Sequence, residues 1–253
     1  DGFNLTWSPD NTGATATNFF VLMGSTDDTN NMEYFWELSD VNSFDPTQAA
    51  EDPITFSYGD TWYWTVIASN GEGDSTTPTP FSFTIMDDPR VLSLPYSQNF
   101  DGVTAPNLPA QWVGMLNPTS TSWYVDTYSS TTYAVSQPNT ARMYNSSSTT
   151  ADIRLITPEI LVPMNTIKLS FSARGSSGYT LLVGTTNATD ATGVFNQLAS
   201  ITLTATHTIY TVSLADYVGT DQYICFKHGL GGTYRTIYID DVNMDELVDT
   251  DMA

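Results

Sequence analysis

Residues 61–68 read Thr-Trp-Tyr-Trp-Thr-Val-Ile-Ala. Trp62, Trp64, Val66 and Ala68 recur with a period of two, which sets them on one face of a strand. Aromatic and β-branched residues suit a pleated, half-buried surface, and Asn70-Gly71 supplies the turn that follows. The same period appears outward from this stretch. Phe3, Leu5 and Trp7 alternate over 3–7, Phe19, Val21 and Met23 over 19–23 with Gly24 as the stop, and Phe81, Phe83 and Ile85 form a last strand. The set Phe19, Val21 and Met23 is predicted to face inward. Short alternating strands separated by turn signals predict a β-sandwich.

Met86-Asp-Asp-Pro-Arg90 reads as a short linker, and a second series of strand-like segments follows it. Its landmarks are 91–101, 111–115, 121–126, 140–145, 153–157, 166–173, 179–185, 208–214, 222–227 and 236–244. That many short strands in the second part predict a jelly roll, two stacked antiparallel sheets. The whole chain is therefore predicted to be all-β.

A length of 253 residues suits two domains at roughly 100–150 residues each. The charge is uneven. Residues 1–89 hold 15 acidic residues and no Lys or Arg, whereas 90–253 hold 13 acidic and 7 basic, formal charges of -15 and -6. The step near residue 90 marks a domain boundary. A formal net charge of -21 argues against a nucleic-acid partner, whose phosphates are met by cations, and against docking on anionic lipid. No run approaches the ~20 apolar residues that span a bilayer. Two His and one Cys exclude a Cys/His zinc cluster and an intrachain disulfide.

The first part, through "LTWSP", "FFVLMGST" and "YGDTWYWTVIASNGEGDSTTPTPFSFTI", resembles a fibronectin type III-like domain over residues 1–86. The usual first strand is missing before Asp1, and Trp62 stands where that family has its corner tyrosine, so an indole N–H can donate there but not accept. The second part resembles the MAM-like cleaved-adhesin or choice-of-anchor jelly roll of Bacteroidota surface proteins over 91–246. The likeness runs in order through "LPYSQNFDG", "LPAQW", "PNTARMYN", "LITPEI", "LSFSA", "LLVGTT", "YTVSL", "YICFKHG" and "IYIDDV". Residues 247–253 then read as a tail or a linker to a further domain of the same polypeptide.

Four groups of residues invite a chemical reading. Asp101 ends the first strand of the jelly roll and Asp240-Asp241 lie in its last; such strands come close together, so these carboxylates with backbone carbonyls would make an oxygen cage suited to calcium. The resemblance implies a structural calcium near these ends. By alternation Ile237, Ile239 and Asp241 share one face and Tyr238 and Asp240 the other, so only one of the pair points inward without a bulge, and Asp240 is preferred. Tyr124, Tyr128 and Tyr133 lie in a Ser/Thr-rich loop region placed for ligand contact, while Trp112 and Trp123 read as core. Cys225 reads as a small apolar core residue without a pairing signature to His207 or His228, and no catalytic acid and base are brought together. Asp74-Ser75-Thr76 matches a short O-glycosylation sequon of exported Bacteroidota proteins, with Ser75 as acceptor.

These resemblances imply a non-catalytic adhesin or binding module, part of a larger secreted modular protein exported by the type IX route, at the cell surface of a Gram-negative bacterium. Its expected partner is a glycan or a surface protein, with no nucleic acid and no membrane insertion. The alternatives are an accessory segment that docks a large secreted hydrolase on its substrate, and a structural stalk repeat.

Overall fold

The computed structural model describes residues 3–8 and 15–248. The chain is all-β and divides into two compact units between Asp88 and Pro89. Among the described residues the helical pieces are two 3₁₀ turns, Pro46–Gln48 and Met164–Thr166. The tail predicted over 247–253 lies, beyond Val248, outside the described residues.

The first unit contains β1 (Leu5–Thr6), β2 (Asn18–Gly24), β3 (Tyr34–Ser39), β4 (Ser43–Phe44), β5 (Thr61–Asn70), β6 (Gly73–Asp74) and β7 (Phe81–Thr84). β1 pairs only with β4. The second sheet runs β3-β2-β5, with β6 and β7 both on β5, all antiparallel. Leu5 of β1, Val21 and Met23 of β2, Trp36 of β3 and Ile54 form the core, with Phe44, Trp62, Trp64 and Phe83 packed around them. The alternation read in β2 thus fixes the inward face. Phe81 departs from it: it is 63% exposed at the free edge and lies 5.4 Å from the Trp64 ring. The Trp62 indole N–H is buried with no acceptor among the described residues. A tyrosine hydroxyl would turn toward donor or acceptor alike, whereas an indole has one fixed donor.

The second unit is a two-sheet jelly roll. One sheet holds β8 (Tyr96–Gln98), β10 (Tyr124–Ser129), β11 (Asn139–Tyr144), β13 (Ile167–Arg174), β16 (Thr208–Ser213) and β18 (Thr236–Glu246), in the order β10-β11-β18-β13-β16 with β8 also on β18. The other holds β9 (Val113–Asn117), β12 (Asp152–Ile156), β14 (Thr180–Thr186), β15 (Phe195–Thr202) and β17 (Tyr223–His228), in the order β15-β14-β17-β12-β9. Met143, Leu169, Phe171, Ile237 and Ile239 from the first meet Ile153, Leu155, Leu181, Val183 and Phe226 from the second in one core. The first and last strands do come together, Gln98 opposite Val242 and Tyr96 opposite Met244.

Two segments differ from the sequence reading. Residues 91–101 are mostly not strand: Val91 makes only an isolated bridge to Ile160, and pairing is confined to Tyr96–Gln98. β15 has no counterpart among the landmarks. It is an edge strand paired only with β14, and most of its residues are exposed, so its alternation is diluted by polar side chains. β14 shifts register between Val183 and Gly184, where a Cβ on Gly184 would fall 2.2 Å from the Asn196 carbonyl oxygen. Only glycine permits that approach.

Phe226 is fully buried and meets Phe171 edge-on at 5.0 Å. Phe226→Ala is expected to destabilise the second unit by about 3–5 kcal/mol, read as a lower urea midpoint. Val194→Ala, at a 59% exposed position, is expected to stay within about 0.5 kcal/mol.

Candidate functional site

β18 carries the decisive irregularity. Opposite it, β13 pairs Ser170 with Asn243 but Ser172 with Asp240, so one extra residue is accommodated, and Asp241 has a left-handed φ of 47°. This is a β-bulge, and aspartate tolerates that backbone better than most residues. The bulge corrects the alternation expected for the Asp pair. Ile237 and Ile239 face the core, and after the extra residue Val242 and Met244 do so again. Asp240 does not point into the apolar core: it takes the outer face with Tyr238, yet its side chain is covered.

The cover is the loop 130–138 between β10 and β11, which folds across the outer face as a strap. Its ends are closed by Ser130 N–H donating to the Pro138 carbonyl at 2.9 Å. Asp240 accepts from Val135 N–H at 2.7 Å and from the Ser136 hydroxyl at 3.2 Å, and from Asp241 N–H at 2.9 Å. Asp101 accepts from Asn139 N–H at 2.9 Å, and the Asn139 amide donates to the carbonyls of Phe100 and Val103. The His207 ring bridges further: Ser172 Oγ lies 3.0 Å from Nδ1 and the Tyr133 carbonyl 2.8 Å from Nε2, which assigns the Nε2–H tautomer. Arg174 donates to the Thr132 carbonyl at 3.2 Å. Burial raises the Asp240 carboxyl to about 7. Asp240 thus serves the strap, Asp101 holds the start of β11 just past it, and Asp241 faces the adjoining groove. No cluster of three or more His, Cys, Asp and Glu side chains gathers among the described residues.

Beside the strap the outer face is aromatic. Tyr124 and Tyr128 are not loop residues as expected; both stand on β10, on the same face as Asp126. Arg142 on β11 grips Asp126 with two hydrogen bonds of 2.9 and 2.7 Å and lies over both tyrosine rings, at 4.5 and 4.3 Å. Tyr133 is on the strap, stacked on Tyr238 of β18 at 4.5 Å with the planes nearly parallel. Tyr144, one of the aromatic residues the sequence offers over 111–144, and Tyr238, which the sequence reading missed, complete the array. Their signal was present as alternation with Arg142 on β11 and with Ile237 and Ile239 on β18.

Two grooves open on this face. The larger, ≈ 570 Å³, is lined by Gln98, Asn99, Val135, Ser172, Ile209, Asp241 and Asn243, among others. The smaller, ≈ 240 Å³, is lined by Tyr133, Arg174, Tyr179, Tyr234 and Tyr238 with small neighbours.

The remaining candidates lie elsewhere. Trp112 is buried and its indole donates to the Tyr96 hydroxyl at 2.9 Å; Trp123 packs on the core and donates to the Pro118 carbonyl. Cys225 is buried and its thiol is pushed up to about 12 by that burial. His228 is buried, accepts from Leu230 N–H on Nδ1 and faces the Arg235 carbonyl through Nε2. Burial lowers its imidazole to about 4. Ser75 sits in the first unit just past β6, exposed, with its hydroxyl accepting from Ala68 N–H at 3.1 Å.

No family model matches the chain, and no curated protein matches it in sequence. Among solved structures, the K2 cleaved adhesin domain of Lys-gingipain is similar with a TM-score of 0.49 at 16% identity, over 60% of this chain and 97% of that one. The K1 cleaved adhesin domain of Lys-gingipain from Porphyromonas gingivalis W83 gives 0.47 at 18%, over 62% and 100%. The CBM22-1 xylan-binding domain of Paenibacillus barcinonensis Xyn10C gives 0.41 at 13%, over 60% and 92%. At such identities and scores the likeness says nothing about a ligand.

His228 generates a pH prediction. Its folded pKa of about 4 lies below the ordinary value of 6.5, so the unfolded chain binds the proton more readily between the two. Its contribution is complete above pH 6.5 and is lost as pH falls toward 4, about 1.4 kcal/mol per pKa unit of difference. Chemical denaturation at pH 7 and pH 4.5 is expected to show a smaller loss of stability in His228→Gln than in the unmodified protein.

Proposed function

We propose that the second unit is a non-catalytic carbohydrate-binding module of a surface-exposed protein, and that the tyrosine-bearing outer face receives the glycan. One observation carries this: aromatic rings and two grooves rich in hydroxyl and amide groups share a face whose side chains are already fixed by stacking and ion pairing. Aromatic faces meet sugar C–H groups, and hydroxyl and amide groups meet sugar hydroxyls. Glycoside hydrolysis, by contrast, uses two facing carboxyl groups, and Asp241 alone supplies one among the residues lining either groove. Cys225 and His228 are buried in the wrong protonation states for nucleophilic or acid–base work. A protein partner is the second reading, favoured by Val135 and Ile209, which are 47% and 76% exposed beside the larger groove.

The first unit is proposed as a fibronectin type III-like spacer. The order β3-β2-β5-β7 facing β1-β4 supports that assignment. Ser75 is proposed as a glycan acceptor because it is exposed beside a hairpin. An extracellular setting at the surface of a Gram-negative bacterium suits the formal charge of -21, which external cations would screen. Among the described residues no helix is long and apolar enough to cross a membrane.

Calcium is proposed at the base of the strap, with Asp101 and Asp240 as carboxylate donors. The donor set fits a hard cation, since carboxylates and the backbone carbonyls of Asn99 and Phe100 are all oxygen. Asp240 is fully buried and makes no ion pair among the described residues, so its negative charge lacks a partner. When bound, the ion would neutralise it.

A glycan array probed with the full chain is expected to show binding, and Tyr238→Ala is expected to weaken it about tenfold while the unfolding temperature holds within a few degrees. An array without any hit would reject the glycan reading. Calcium at a hundredfold excess over Kd is worth about 2.7 kcal/mol, so chelation is expected to lower the unfolding temperature of the second unit by about 5–10 °C. Asp101→Ala should abolish that response, and an unchanged melt in chelator would reject the ion.

A further inference from the structure

We infer that the smaller groove is a subsite for a carboxylate-bearing sugar unit, gripped by Arg174 among tyrosine rings. The inference rests on the glycan-binding reading and names its ligand class. The starting point is the distribution of cations. The chain has 7 Lys and Arg against 28 Asp and Glu, so carboxylate partners abound. Arg142 pairs with Asp126, Arg154 and Lys227 share Asp152, and Arg90 lies 3.9 Å from Glu159. Arg174 and Arg235 make no ion pair among the described residues, and Arg174 belongs to this groove. Arg174 lines it, and Arg235 lies 4.4 Å over the ring of Tyr179, which lines it too. No acidic side chain is among the lining residues.

Arg174 is held without being used up. Its guanidinium lies 4.9 Å over the Tyr133 ring and donates one hydrogen bond, to the Thr132 carbonyl. The rest of its donor fork finds no acceptor among the described residues. A planar fork matches a planar carboxylate through two parallel hydrogen bonds. Around it stand the stacked pair Tyr133 and Tyr238, with Tyr179 and the 66% exposed Tyr234. Ser176 and Thr236 add hydroxyls. Rings and hydroxyls beside an unpaired guanidinium suit a uronic acid better than a run of glutamates, which has no ring face to offer. A volume of ≈ 240 Å³ is below the ~300 Å³ at which drug-sized pockets begin, and is matched to a single sugar ring. The overall charge of -21 opposes every anion at long range. Any preference for an acidic over a neutral sugar therefore has to come from local contact.

Titration of the full chain with methyl glucuronide and with methyl glucoside, followed by NMR, tests this. The glucuronide is expected to bind about tenfold tighter and to shift resonances of Tyr133, Tyr234 and Tyr238. Arg174→Gln should erase the preference, so that within that variant the glucuronide binds no tighter than the glucoside. Arg174→Lys, which keeps the charge but loses the fork, should lose most of it and serves if the glutamine variant folds poorly. Equal affinity for the two sugars, or a preference that survives both variants, overturns the inference. So does tighter binding of a sulfated sugar or of oligoglutamate than of the glucuronide. Neutral glycans that bind without any acid preference would sink this inference alone, whereas absence of all glycan binding would sink the functional reading beneath it.

Discussion

The Asp240 carboxylate is the point on which the outer face depends. Taking a carboxylate out of water is costly unless its oxygens are satisfied. Here the satisfaction comes from backbone and hydroxyl donors of a loop 105 residues away in sequence. The strap in turn has little apolar anchorage of its own, since Val135 is exposed and Tyr133 is only half-buried. It is held by polar contacts with Asp240, Asn99, His207 and Arg174. The carboxylate needs the strap's N–H, and the strap needs the sheet already formed. Such mutual dependence makes the network cooperative, so losing one member exposes or strands the others.

Much of the fold was legible because it is governed by alternation. Phe19, Val21 and Met23, and Ile237 and Ile239, face the cores as their spacing implies. Alternation fails where the backbone leaves the regular pleat. Nothing in Asp240-Asp241 as a dipeptide announces a bulge; it is set by the register of β13, a non-local fact. β15 was illegible for another reason: an edge strand buries so little that its pattern carries little constraint. Tyr124, Tyr128 and Tyr133 were recognisable as residues apart from the core. Their grouping with Tyr144, Tyr238 and Arg142 depends on cross-strand neighbours such as Arg142 opposite Tyr238, which sequence order does not reveal. Asp101 and Asp240 were singled out by their places near the first and last strands; Asp101 lies in the turn past β8, and the bonds of Asp240 to the strap depend on where the loop 130–138 folds.

The outer face of the opposite sheet gives a useful contrast. There Arg154 is 6% exposed at its side chain, grips Asp152 bidentately, donates to the Gly193 carbonyl at 2.8 Å and lies over Phe195. Lys227 shares the same Asp152 at 3.0 Å. Burial works against the charge on Asp152, but the two cations hold its carboxyl below the ordinary range. The Arg154 donors are committed, which marks a structural ion pair rather than a recognition group. Arg174 shares the carbonyl and the ring beneath it but is half-buried, lacks a carboxylate and opens on a groove.

Rigidity links this architecture to recognition. The Arg142 guanidinium between Tyr124 and Tyr128, tied to Asp126, fixes three side chains on adjacent strands at once. The Tyr133–Tyr238 stack fixes the strap on the same sheet. A ligand meeting such a surface does not have to order it, and the rotamer entropy otherwise lost on binding, about 0.5–1.5 kcal/mol per immobilised side chain, has already been met by folding. A sugar offers weak individual contacts, so its binding is sensitive to that saving. The bulge at Asp241 belongs to the same logic: by adding one residue to β18 it keeps Asp240 under the strap while turning Asp241 toward the larger groove. Adjacent carboxylates thereby take different roles, one holding the face together and the other presented to whatever enters.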